Sequence, residues 1–85
     1  MIYEVILTDS FLKDLKKLRN KVLEEQVLSK LEELEENPER NKKLQYELND
    51  YYRIRAGKLR ILYTIQGNKV YVEVLVSGHK YEEVY

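Results

Sequence analysis

Arg53, Arg55 and Arg60 fall in one short stretch of this chain, and guanidinium is the side-chain group best matched to phosphate oxygens. It stays charged and offers a planar fork of N–H donors. Tyr51 and Tyr71 stand close to them in the pattern, and arginine with aromatic neighbours suits phosphate contact combined with base stacking. Lys42, Lys43 and Lys58 add positive charge on the approach to the cluster and between its members. Beyond it come the single histidine, His79, then Lys80 and a terminal Tyr85. The competing reading is a solvated strand face. Like charges directly opposite in a sheet cost roughly 0.2–1 kcal/mol per pair, so three arginines together call for an explanation.

Those arginines need a sheet to hold them. Tyr51–Ser77 reads YYRIRAGKLRILYTIQGNKVYVEVLVS, with Gly57-Lys58 and Gly67-Asn68 as turns between strand-favouring runs, the pattern of a three-strand meander. A two-residue turn at Gly57-Lys58 sets Arg55 opposite Arg60, Ile54 opposite Ile61 and Tyr52 opposite Tyr63. The second turn sets Tyr63 opposite Val72 and Ile61 opposite Val74. Side chains alternate along a strand. One face is therefore expected to carry Tyr52, Ile54, Ala56, Leu59, Ile61, Tyr63, Ile65, Val70, Val72, Val74 and Val76, all apolar or aromatic. The other carries Tyr51, Arg53, Arg55, Arg60, Leu62, Thr64, Tyr71, Glu73, Leu75 and Ser77.

The preceding residues supply a cover for the apolar face. Ile2–Leu7 is a strand whose nearly continuous apolar character suits cover on both sides. Thr8-Asp9-Ser10 has N-cap chemistry for a helix with Phe11, Leu15 and Leu18 on one stripe. After a break at Arg19-Asn20-Lys21, a second helix runs to about Glu36, with Leu23, Val27, Leu31 and Leu34 inward and a glutamate-rich face outward. Asn37-Pro38 stops it. Residues 41–50 connect back to the sheet, with Leu44 and Leu48 as anchors. The order is β-α-α-β-β-β: an α+β fold with a two-helix hairpin on a mostly antiparallel four-stranded sheet. At 85 residues it is expected to be one domain spanning residues 1–85.

Composition narrows the chemistry. There is no cysteine, so a reducing interior is the expected setting and thiolate metal sites are excluded. No secretory signal and no membrane span are expected, which points to the cytoplasm. No Gly-rich phosphate loop or nucleophile elbow is present, and no cofactor is expected. The formal net charge is zero but unevenly distributed. Residues 1–41 carry seven basic and ten acidic side chains, whereas residues 42–80 carry eight basic and three acidic. Seven of the eight tyrosines lie beyond residue 45. A basic, tyrosine-rich half points to an anionic partner on one side of the molecule.

The run Tyr52-Arg53-Ile54-Arg55-Ala56-Gly57-Lys58-Leu59-Arg60-Ile61-Leu62-Tyr63, with Gly78-His79-Lys80 and Val84-Tyr85 later, resembles the RelE/ParE superfamily of toxins from type II toxin–antitoxin modules. The element order and Asn37-Pro38 agree, and the resemblance covers the whole length. The RelE branch it resembles implies a ribosome-dependent endoribonuclease that cuts messenger RNA without metal. The messenger's own 2′-hydroxyl attacks, leaving a 2′,3′-cyclic phosphate and arresting translation. On this resemblance Arg53, Arg55, Arg60, Lys80 and Tyr85 are the catalytic candidates; His79 joins them because imidazole suits proton transfer near neutral pH, and Lys42, Lys43, Tyr51 and Lys58 are the RNA-binding candidates. The implied partners are the ribosome with its messenger and a cognate RelB-like antitoxin. RelE-type sites commonly have lysine at the positions of Arg53 and Arg55, and often arginine at that of Lys80. The ParE branch shares the fold but inhibits DNA gyrase, and a non-catalytic nucleic-acid binder is a further alternative. Either His79 or Glu73 is the candidate proton acceptor.

Overall fold

Both glycine turns form where the spacing requires, with φ of 61° at Gly57 and 63° at Gly67. Lys58 and Asn68 keep negative φ, so only the first central residue of each turn needs the left-handed region, as in type II′ hairpins. The computed structural model describes residues 2–44 and 50–77. Its elements are β1 (Glu4–Leu7), α1 (Asp9–Lys17), α2 (Lys21–Leu34), a 3₁₀ turn (Pro38–Arg40), β2 (Lys42–Lys43), β3 (Tyr52–Ala56), β4 (Leu59–Gln66) and β5 (Lys69–Ser77). They form an α+β fold with two helices on one face of a mixed sheet, ordered β1-β5-β4-β3-β2. All pairs are antiparallel except β1 with β5.

Local chemistry sets the helix ends. Thr8 is extended and its hydroxyl oxygen accepts from the Phe11 N–H at 3.3 Å, capping α1. The same hydroxyl donates to the Val72 carbonyl at 2.9 Å, tying the start of α1 to β5. Arg19 breaks the helical path at φ 47°, and Asn20 caps α2 by accepting from the Leu23 N–H at 3.1 Å. α2 stops at Leu34, short of the expected Glu36. The helix stripes then bury as expected. Phe11, Val27, Leu31 and Leu34 pack with Ile54, Ile61, Tyr63, Val70 and Val72, with Leu15, Leu18 and Leu23 at the margin.

Three expectations change. The connector contributes a two-residue edge strand, β2, making a fifth strand. β1 is the opposite edge rather than an interior strand, with Ile2 76% exposed. Its parallel pairing with β5 needs only the inward side chains Val5 and Leu7 to meet the core. The third change concerns the faces. β4 and β5 pair Tyr63 with Val72 but Leu62 with Val74, so Glu73 is an extra residue in β5, a β-bulge. Ile61 therefore faces Leu75, not Val74. Since paired residues share a face, Leu75 joins the core side while Val74 and Val76 move to the side of Leu62 and Arg60.

One tyrosine anchors the middle of the sheet. Tyr63 is fully buried, stacked on Tyr52 at 5.6 Å between ring centroids. Its hydroxyl donates to the Pro38 carbonyl at 2.6 Å and accepts from the Asn41 amide at 2.8 Å. This bond pair fixes the turn after α2 to the sheet. Burial pushes the Tyr63 phenol up to about 12 from its ordinary 10.

Tyr63→Phe strands the Pro38 carbonyl and the Asn41 amide. The expected loss is about 1–3 kcal/mol in denaturant unfolding. Because folding raises the Tyr63 pKa, the folded state holds the proton more tightly than the unfolded state. Its contribution is complete below about pH 10 and is lost as pH rises toward 12. Wild type should therefore lose stability between those values more steeply than Tyr63→Phe; parallel slopes would refute the assignment.

Candidate nucleic-acid interface

The face turned away from the helices is built from β3, β4 and β5. Arg55 lies opposite Arg60, and Arg60 opposite Val76. Arg53 lies opposite Leu62, and Leu62 opposite Val74. The Lys42 backbone pairs with Arg53 at the β2 edge. The sequence pattern thus brings the three arginines together on one face. They are not equally solvated: Arg55 is exposed, Arg53 half-buried and Arg60 only 7% exposed. The apolar neighbours Leu62 and Val76, 3% and 9% exposed, flank Arg60. Arg60 is the member of the set that is withdrawn from solvent.

Burial, followed by the charges of Arg55 and Arg60, lowers the Arg53 pKa from its usual value. Arginine remains protonated in proteins, so the shift registers a cation held among like charges. An anion placed on this face relieves that repulsion.

At the far end of the face, Glu73 accepts hydrogen bonds from the Thr64 hydroxyl at 3.2 Å and the Tyr51 hydroxyl at 3.5 Å. The bulge brings this carboxylate beside Thr64. The strict Val70, Val72, Val74, Val76 alternation conceals it; Leu75 on the supposed polar face was the available cue.

The remaining candidates separate. The Lys43 ammonium lies 5.8 Å from the Tyr52 ring centroid, and Tyr52 stacks on core Tyr63, so this lysine is on the helix side, away from the arginines. Its ladder partner is Tyr52, and paired residues share a face. Lys58 is exposed at the turn beyond Arg55. His79, Lys80 and Tyr85 lie outside the described residues. Among the described residues, no three ligating side chains converge as a metal site would require.

Comparison with known proteins places this geometry. Residues 5–82 match a family model described as the ParE toxin of type II toxin–antitoxin systems. The chain is similar to the toxin–antitoxin complex RelBE2 from Mycobacterium tuberculosis, at 28% identity and a TM-score of 0.80, covering 92% of this chain and 100% of that one. It is also similar to a mutant of the E. coli toxin RelE in the free state, at 30% identity and a TM-score of 0.74, covering 100% of this chain and 92% of that one. The intact E. coli RelBE toxin–antitoxin complex aligns at 26% identity and a TM-score of 0.72, over 89% of this chain and 96% of that one. No curated protein sequence matches it significantly.

Arg53→Met keeps the stem and removes the charge. In low salt the variant is expected to melt at an equal or higher temperature than wild type. The difference should shrink toward 0.1 M salt, where the Debye length is about 10 Å. A single-stranded RNA oligonucleotide should stabilise wild type more than the variant. Strong destabilisation of Arg53→Met in low salt would contradict the like-charge account.

Proposed function

The chain belongs to the ParE toxin family of type II toxin–antitoxin systems, and from that premise we propose that it is a ribosome-dependent endoribonuclease that cuts messenger RNA and arrests translation. The observation that carries the reading is the set Arg53, Arg55 and Arg60 on adjacent strands of one face, with Arg60 buried among apolar neighbours. In such a setting a guanidinium attracts phosphate more strongly than it does in water.

Cleavage by the RNA's own 2′-hydroxyl forms a bond from that oxygen to phosphorus and breaks the bond to the 5′-oxygen. The hydroxyl proton leaves to a base, and the departing 5′-oxygen gains a proton. The products are a 2′,3′-cyclic phosphate and a 5′-hydroxyl. Arg53, Arg55 and Arg60 act on the phosphorane, whose non-bridging oxygens gain charge in the transition state. A permanently protonated guanidinium is a poor base, so proton transfer falls to other groups. His79 and Glu73 are the candidates for accepting the proton, Lys80 for balancing leaving-group charge, and Tyr85 for stacking on a base.

The chain acts as one toxin domain. Its partner is a cognate acidic antitoxin, in line with the toxin–antitoxin complexes formed by its relatives. No helix among the described residues is long and apolar enough to cross a membrane, which agrees with action on ribosomes in the cytoplasm. A second reading, inhibition of DNA gyrase without nuclease chemistry, is favoured by the ParE designation of the matching family.

An in vitro translation reaction tests both. Wild type is expected to arrest synthesis and leave messenger fragments ending in 2′,3′-cyclic phosphate. Arg60→Ala is expected to slow cleavage by about 10²-fold or more. His79→Ala should lose less than Arg60→Ala. Intact messenger with inhibited supercoiling supports the gyrase reading instead, and fragments with a free 3′-hydroxyl overturn the mechanism.

A further inference from the structure

β4 outruns its neighbour at one end of the arginine face. The β3–β4 pairing stops at Tyr52 opposite Tyr63, while β4 continues to Gln66. Thr64, Ile65 and Gln66 therefore have no residue of β3 across from them. The result is a notch of about 660 Å³, lined among others by Tyr51, Thr64, Gln66, Lys43 and the carboxylates of Asp50 and Glu73. Tyr51 lies two residues along the chain from Arg53, about 6.6 Å at the rise of a strand, which is the scale of one nucleotide step along an extended single strand. An RNA whose phosphate rests on the arginines therefore brings a flanking base to this notch.

The notch lining is predominantly acidic, with Glu39, Asp50 and Glu73 against one ammonium, that of Lys43. Glu73 is an acceptor held in place by the hydroxyls of Thr64 and Tyr51, which donate to its two oxygens at 3.2 and 3.5 Å. Those donors are committed to the carboxylate, and Asp50 adds a further acceptor. Carboxylates recognise exocyclic amino groups, such as that of cytosine, whereas the carbonyl-rich edge of uracil meets them unfavourably. The Tyr51 ring offers an aromatic surface at the mouth.

We propose that this notch is a base-reading subsite, in which Glu73 selects an amino-bearing base over uracil next to the phosphate held by the arginines. The inference rests on the nuclease reading above and adds a specificity-determining residue to it. Glu73 discriminates by accepting a hydrogen bond; Thr64 is a positioning residue that aims its carboxylate.

Ribosome-bound messengers randomised at the two nucleotides flanking the cut, with sequencing of the fragments, test it. Wild type is expected to cut on the order of tenfold more often where one flanking base carries an exocyclic amino group than where it is uracil. Glu73→Gln keeps the shape but presents an amide N–H₂ that can donate to a carbonyl, so the preference should flatten or reverse. Thr64→Val, a milder change, should narrow it. Arg60→Ala should lower cutting at all sequences without altering the preference. Cleavage by wild type with no base preference overturns the subsite alone, as does a preference retained in both Glu73→Gln and Thr64→Val. Failure of wild type to cut any messenger overturns the nuclease reading together with it.

Discussion

Glu73 stands in β5 with no ladder partner in β4: Tyr63 pairs with Val72, Leu62 with Val74, and the extra residue shifts the remainder of the strand by one position. Much of the molecule depends on that shift. Before the bulge, Val70 and Val72 point into the core; after it, Leu75 does, beside Ile61. Val74 and Val76 turn to the opposite face and give Leu62 and Arg60 an apolar setting. A regular strand would have put Leu75 next to Arg60's row and left Glu73 as an ordinary alternating residue. The bulge instead pairs Arg60 with Val76 and sets a carboxylate near the ends of Tyr51 and Thr64. Bulges recur beside active sites because they re-aim side chains in this way.

The charge distribution follows a similar division. The glutamate-rich side of α2 carries surface ion pairs, Lys30 with Glu33 at 3.1 Å and Arg40 with Glu33 at 3.2 Å. Such exposed pairs contribute up to about 1 kcal/mol and often nothing measurable. The arginine face has the opposite problem. Arg53 is held among like charges with part of its hydration removed, and this opposes folding. The core on the other side of the same sheet offsets it, with Phe11, Val27, Leu34 and Tyr63 wholly buried. A neutral chain thus keeps a strongly cationic patch, at a cost borne by packing elsewhere.

How far the sequence could be read depended on the range of the interaction involved. Hairpin pairing is local: Gly57 and Gly67 determine it, and the opposition of Arg55 to Arg60 and of Tyr52 to Tyr63 was legible from turn length alone. The helices were legible from Thr8, Asn20 and the leucine spacing. Two features were not. The bulge is masked by the unbroken valine alternation from Val70 to Val76, with Leu75 on the supposed polar face as its one cue, and only the pairing of the two strands exposes the extra residue. The edge position of β1 was hidden because an apolar run looks alike whether one face or two are covered. Of the site, the arginines were legible as a group. The pairing of Lys43 with Tyr52, which sets it on the side of the sheet away from the arginines, is not visible in composition.

The side chains on these strands differ in the chemistry they can perform. Guanidinium groups suit binding and neutralising phosphate but do not exchange protons at neutral pH. Glu73 is the carboxylate in the described part of this face that hydrogen bonds fix most directly, and its two oxygens already accept from Thr64 and Tyr51. Each carboxylate oxygen keeps a second lone pair, so Glu73 can still accept a hydrogen bond from a ligand while Thr64 and Tyr51 hold it. β5 ends at Ser77, opposite Leu59 and one residue beyond the pair Val76 and Arg60. The described strand thus ends beside the arginine row, four residues past Glu73.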